Sequence, residues 1–225
     1  MDLVRGSETT QMPDAAAISH HMIAEEDLLR ANWYGFVARF LAAPPDQSAL
    51  SLAAGFDSQG DDTQRDSQGD GSDLGTALGI LARLARQTTP QEAEEEYFNL
   101  FIGVGRGELM PYGSYYLTGF LNEKPLAHLR RDMARLGMSR AEDVKEPEDH
   151  IAALCDMMAG LITGSFGAPA TLETQHEFFQ RHLSPWAGRF FGDLERARHA
   201  RLYQPVGTIG RLLIDIDRAA YGMDA

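Results

Sequence analysis

Apolar residues recur at three- and four-residue spacing along most of the chain. Leu28, Leu29, Trp33, Phe36, Val37, Phe40 and Leu41 predict an amphipathic helix from about Ala24, and Pro44-Pro45 ends it. A short apolar piece follows from Ala49. Leu74, Leu78, Leu81 and Leu84 mark a second helix that stops before Pro90. A third starts at Gln91, with Glu92, Glu94, Glu95 and Glu96 in its first turns beside the positive end of the helix dipole, and runs through Phe98, Leu100, Phe101 and Ile102 to Gly103. Further on, Leu126, Leu129, Met133 and Leu136 share one face of a helix that Gly137 caps. The run Glu146–His150, EPEDH, reads as a helix start: Pro147 takes the first helical position and Glu148 and Asp149 lie in the first turn. The stripe Ile151, Leu154, Cys155, Met158, Leu161 and Ile162 continues it. Thr171 or Thr174 begins the next helix, bearing Phe178 and Phe179. Ser184-Pro185 reads as an N-cap and first helical position ahead of Trp186, Phe190, Phe191, Leu194 and Ala197, and a last helix after Pro205 carries Val206, Ile209, Leu212, Leu213 and Ile216. Nothing alternates with period two. The expected fold is an all-α, single-domain helical bundle of about eight or nine helices.

Two stretches lack this periodicity. Residues 1–19 are expected to form a mobile tail before a helical domain at 20–225, and residues 55–75, rich in Asp, Gly, Gln and Ser, a flexible loop within it. Asp66, Gln68, Asp70 and Gly71 fall at the first, third, fifth and sixth positions of a calcium loop, but Ala77 stands where the bidentate Glu is required.

The 225 residues, 44% hydrophobic, suffice for a sizeable core. A net charge of −13 repels nucleic acid and anionic membrane and attracts basic peptides. Cys155 is the single cysteine and sits in an apolar stripe, so no intrachain disulfide exists and the residue reads as packing. The N-terminus MDLVRGSETTQMPDAAAISHH has no apolar segment of a secretory signal, and no run reaches the ~18 apolar residues of a membrane span. The chain is therefore expected to be soluble and cytoplasmic, without stable membrane insertion.

Catalytic chemistry finds little support. The histidines show no ligand spacing: His176 and His182 are six apart, and His20 and His21 lie in the expected tail. Cys155 and Ser114 are the candidate nucleophiles, and Ser114 lacks a G-x-S-x-G elbow. Gly103–Gly107, GVGRG, looks like a phosphate loop, yet it follows a helix and runs to Pro111 rather than joining a strand to a helix. No cofactor, metal or catalytic residue is assigned.

The stretch Tyr97–Tyr116, YFNLFIGVGRGELMPYGSYY, has the aromatic, glycine and proline content of a binding groove. Together with EPEDH and His182–Glu195, HLSPWAGRFFGDLE, it resembles the TorD/DmsD/NarJ family of cytoplasmic chaperones for molybdenum-containing redox enzymes. That family carries aromatic-x-x-LF-x-GPG, then PY/PW-G-S, EPEDH and HL-x-PW-x-x-RF in this order. Val104 stands where the aromatic-x-x-LF-x-GPG motif has its proline, and Leu154-Cys155 where Glu-Leu is commoner. The resemblance implies an all-α, non-enzymatic, client-specific chaperone, acting as a monomer or homodimer. It would bind the twin-arginine signal peptide or the apo form of a molybdoenzyme catalytic subunit before export. It maps recognition of the signal peptide onto Pro147, Asp149 and His150, and apolar contacts onto Tyr97, Leu100, Phe101, Tyr112 and Tyr116. A carboxylate suits a guanidinium because it accepts two parallel hydrogen bonds. The residues alone also permit plainer roles: Glu148 and Asp149 as helix-start charges, Leu100 and Phe101 as core. Two other functions stay open, a chaperone for a cytoplasmic molybdoenzyme such as a formate dehydrogenase without an export signal, and a small nucleotide-dependent enzyme using GVGRG.

Overall fold

The structure, a computed structural model, describes residues 4–6, 23–56, 72–141 and 144–223. The rest of the expected tail, most of the expected loop, and the calcium-like positions Asp66 to Gly71 lie outside the described residues. Ten α-helices are present among those described, against the eight or nine expected. They are α1 (Glu25–Ala42), α2 (Gln47–Ala54), α3 (Ser72–Gln87), α4 (Pro90–Tyr97), α5 (Gly113–Thr118), α6 (Lys124–Arg135), α7 (Ile151–Thr163), α8 (Leu172–Phe178), α9 (Ala187–Arg196) and α10 (Tyr203–Met223). The short α5 carries no periodic stripe. Helix α3 begins inside the stretch expected to be loop. The only described strands are β1 (Val4–Gly6) and β2 (Met138–Arg140), paired antiparallel with Val4 opposite Arg140. β1 falls in the expected tail; three residues are too few for a period-two pattern to be read.

The bundle divides into two compact units, one of Met1–Ala38 with Tyr112–Leu183, the other of Arg39–Pro111 with Ser184–Ala225. In the first, α7 is buried on nearly every side, from Ile151 and Ala152 through Met157, Met158 and Ile162, so its sequence is apolar almost all round. It meets β1, α8 and a π-helical turn at Phe179–Leu183. Arg30 of α1 donates to the Gln175 side chain of α8.

In the second unit α10 packs on α9 and α3, and α2 packs on α3. Helix α4 opens with a capping box: Thr89 Oγ1 accepts from the Glu92 N–H and the Glu92 carboxylate accepts from the Thr89 N–H. Pro90 then occupies its first position. Helix α1 ends in this unit, where Pro44-Pro45 prevents continuation, and its orphan carbonyls need donors. Tyr203 Oη supplies one to the Phe40 carbonyl at 2.8 Å and Tyr97 Oη one to the Leu41 carbonyl at 3.3 Å. In Tyr203→Phe the ring packing stays while the buried Phe40 carbonyl loses its donor. The variant should therefore lose about 1–2 kcal/mol of stability, measured from urea unfolding midpoints; an unchanged midpoint would refute this.

Candidate functional site

Tyr112, Gly113 and Ser114 of the PYGS stretch meet EPEDH in the first unit. Tyr112 and His150 form an antiparallel bridge, and the Gly113 N–H donates to the Asp149 carbonyl at 2.9 Å. The Asp149 Oδ2 then accepts from the Ser114 N–H at 2.7 Å. Ser114 lies in the first turn of α5, whose own N-cap, Tyr112, offers no side-chain acceptor. Asp149 is thus a cap supplied from elsewhere in the chain. Its other oxygen, Oδ1, and the Ser114 Oγ are buried with no hydrogen-bond partner among the described residues.

EPEDH itself is not the opening turn of a helix. The His150 N–H donates to the Pro147 carbonyl at 3.1 Å, closing a turn, and α7 starts only at Ile151. The expectation that Pro147 occupies the first helical position, with Glu148 and Asp149 in the first turn, is corrected accordingly. Its physical cause is that both carboxylates have partners outside α7. Glu148 Oε2 receives Arg130 Nε at 3.0 Å and Arg130 Nη2 at 2.8 Å. Burial raises the Glu148 pKa, but the Arg130 hydrogen bonds outweigh it and leave the carboxyl below its ordinary range.

His150 is the true N-cap of α7: its Nδ1 accepts from the Ala152 N–H at 3.1 Å, which puts the ring proton on Nε2. Burial lowers its pKa to about 4, so it is a neutral imidazole near pH 7. The Tyr112 ring stands edge-on to it at 5.1 Å, and the Tyr112 hydroxyl donates to Glu146, a carboxylate exposed to solvent. Pro147, Tyr112 and Tyr116 are half-buried, whereas Asp149 is only 3% exposed. Beyond Tyr116, Leu117, Phe120 and Leu121 are exposed.

Tyr97, Leu100 and Phe101 belong to the second unit and are core. Leu100 is fully enclosed, and Tyr97, Phe101 and Tyr203 form an aromatic cluster with ring separations of 5.0, 5.5 and 6.2 Å. Burial also pushes the Tyr203 phenol well above its ordinary range. The apolar side chains this stretch leaves in solvent are Phe98, Ile102 and Val104, in and just after a π-helical turn at Phe98–Ile102. Sequence reasoning missed these, along with Glu146 and Arg130. The available signal was that Phe98 and Ile102 lie on a different helical face from Tyr97, Leu100 and Phe101.

The HL-x-PW motif is structural: His182 Nε2 lies 2.8 Å from Asp132 Oδ2 and its ring packs 5.0 Å from Phe178. Burial pushes the Cys155 thiol pKa up, in keeping with a packing role. Among the described residues, no group of His, Cys, Asp and Glu is arranged to hold a metal, and no helix is long and apolar enough to cross a membrane.

An all-α fold with PYGS hydrogen-bonded to EPEDH defines a class whose relatives can be sought by sequence and by shape. The family model described as nitrate reductase delta subunit matches residues 67–192, more than half of the chain, and the chain belongs to this NarJ/TorD family. Chaperone protein TorD of Vibrio cholerae serotype O1 is 31% identical over 140 residues, covering 59% of this chain and 64% of its own length. Chaperone protein TorD of Vibrio atlanticus is 30% identical over 126 residues, covering 52% and 59%. The chain thus spans less than two thirds of these relatives. In fold it is similar to the crystal structure of a candidate redox enzyme maturation protein from Archaeoglobus fulgidus, with a TM-score of 0.51 and 18% identity over 90% of this chain and 99% of that one.

Proposed function

We propose that this chain is a cytoplasmic, client-specific chaperone without catalytic activity, acting as a monomer or homodimer. Its client is a molybdoenzyme catalytic subunit. It binds the twin-arginine signal peptide, or the apo form, and holds it for cofactor insertion before export. The observation that carries this reading is the family match together with relatives named TorD chaperones. The net charge of −13 supports a basic ligand, and the unpartnered Asp149 Oδ1 supports a guanidinium partner. Pro147, His150, Tyr112 and Tyr116 frame that carboxylate in this reading, while Tyr97, Leu100 and Phe101 contribute by holding the π-helical turn. The glycine loop needs no phosphate to account for it, because the Leu109 N–H returns to the Leu100 carbonyl at 2.8 Å.

Calorimetric titration of a leader peptide with two arginines and an apolar run tests the assignment. Asn at 149 still accepts the Ser114 N–H but carries no charge, so Asp149→Asn should weaken binding by about 1.5–3 kcal/mol at low salt, and added salt should weaken the wild type more than the variant. Tyr116→Ala should lose affinity almost independently of salt, since apolar contact is what it removes. Equal binding by folded Asp149→Asn and wild type would make Asp149 a cap and nothing more. A second reading, a client without an export signal, is favoured by the 3% exposure of Asp149, which shields it from an incoming peptide. Retention of a leaderless apo-subunit with no affinity for the peptide would decide for it.

A further inference from the structure

The exposed face of α4 and its π-helical turn is a second surface of defined chemistry. Glu94, Phe98 and Ile102 follow one another at four-residue intervals, and the Phe98 N–H bonds the Glu94 and Glu95 carbonyls, so the helix runs unbroken into the turn. Phe98 is 42%, Ile102 52% and Val104 98% exposed, whereas their neighbours Tyr97, Leu100 and Phe101 are core. Glu94 and Glu95 are also exposed, and no described side chain pairs with either. Glu96, by contrast, is fully engaged by the N–H groups of Arg201, Leu202 and Tyr203 at 2.8–3.1 Å. One face therefore carries two free carboxylates at one end and the exposed Phe98 and Ile102 at the other, Glu94 and Ile102 being about 12 Å apart at 1.5 Å per residue, with the exposed Val104 just past the end of the turn. π-Helical turns inserted in α-helices are frequent at functional sites.

We propose that Phe98, Ile102 and Val104, with Glu94 and Glu95, form a docking surface for a peptide segment in which basic residues precede an apolar run. This rests on the signal-peptide reading above and deepens it. The apolar segment seats on the outward side chains of the motif, not on Leu100 and Phe101, and its basic end faces Glu94 and Glu95 rather than Asp149, which is only 3% exposed. Charge complementarity selects this occupant: an acidic client segment would be repelled at one end, and a purely basic one would leave the apolar end in water.

The test is fluorescence anisotropy with the full chain and a labelled synthetic peptide of two arginines followed by about ten leucine and alanine residues. Phe98→Ser/Ile102→Ser should weaken binding about tenfold or more at any salt, because central apolar contacts dominate such interfaces. Glu94→Gln/Glu95→Gln should weaken it about threefold at low salt, with the difference gone at high salt. Leu52→Ser, at an exposed apolar site on α2, should bind as the wild type does. If the wild type binds and the Phe98/Ile102 variant binds equally well, this surface is wrong while the peptide reading stands. If the wild type does not bind the peptide, both fall. Circular dichroism checks that each variant is folded, and if Phe98→Ser/Ile102→Ser is not, Ile102→Glu and Val104→Glu, singly, replace it with the same expected loss.

Discussion

Acidification from pH 7 to pH 5 should cost this protein about 2 kcal/mol through His150 alone, and about 3 kcal/mol by pH 4. His150 is enclosed, its pKa is lowered to about 4 by burial, and its Nδ1 must stay unprotonated to accept the Ala152 N–H. In the unfolded chain the same imidazole titrates near its ordinary value of about 6.5. The unfolded state therefore takes up the proton first, so the His150 contribution is complete above about pH 6.5 and is lost as pH falls toward 4. His182, whose pKa burial also lowers despite the Asp132 hydrogen bond, acts in the same direction. Glu148 and Glu108, held below their ordinary range, act lower down: their contributions are present above about pH 4.5 and are lost as pH falls through their folded values. A chain of charge −13 sheds self-repulsion on the way to its pI near 4.9, which opposes the loss. Comparison with His150→Asn cancels that term, because Asn caps Ala152 without titrating. Urea midpoints at pH 7 and pH 5 should show the wild type losing about 2 kcal/mol more than the variant. Equal losses in the two proteins would refute the assignment of a buried neutral imidazole.

The helices were legible wherever packing is local in period. α1 starts one residue after the expected Ala24, Thr171 caps α8, and the apolar stripe of α7 matches the face, and more, that it buries. What escaped depends on partners far along the chain. Helix α5 has six residues and no cap of its own; its acceptor is Asp149, 35 positions away, so nothing near Gly113 announces a helix. The same long-range bonds draw Glu148 and Asp149 out of the helix start that their local propensity favours. Ser184 is not an N-cap: α9 begins at Ala187 behind Trp186, and the Ser184 carbonyl accepts from Arg218 Nη2, 34 positions away, at 3.0 Å. At the site, the motif residues Tyr112, Asp149 and His150 are brought together as their order in the chain could not reveal. Tyr97 and Phe101 become core because Tyr203, more than a hundred residues on, closes over them.

Replacing Gly107 by Ala should cost about 3 kcal/mol or more, an effect that only Gly103 shares in the GVGRG loop. A Cβ at Gly107 would lie 2.4 Å from the Phe101 carbonyl carbon and 2.7 Å from the Leu100 and Phe101 carbonyl oxygens. These are backbone atoms of the π-helical turn, so no side-chain rotation can relieve the overlap. Relief requires moving the returning strand of chain, whose Glu108 and Leu109 N–H groups bond the Asn99 and Leu100 carbonyls at 3.2 and 2.8 Å. Gly103 is similarly confined: its φ is +62°, and an added Cβ would meet the Arg106 carbonyl oxygen at 2.2 Å. Gly105 differs, with φ +89° but open space around it, so Gly105→Ala should cost only about 1 kcal/mol from its backbone conformation. A phosphate-cradling loop predicts another ranking, in which Gly105, with its exposed backbone, matters most for ligand and little separates the three in stability. Urea unfolding of the three single variants distinguishes them. Equal stability of Gly107→Ala and wild type would show that the loop is free to move away from the π-helical turn. A loss at Gly107 and Gly103 with little at Gly105 means that the glycines exist to let the chain fold back on the turn that presents Phe98, Ile102 and Val104.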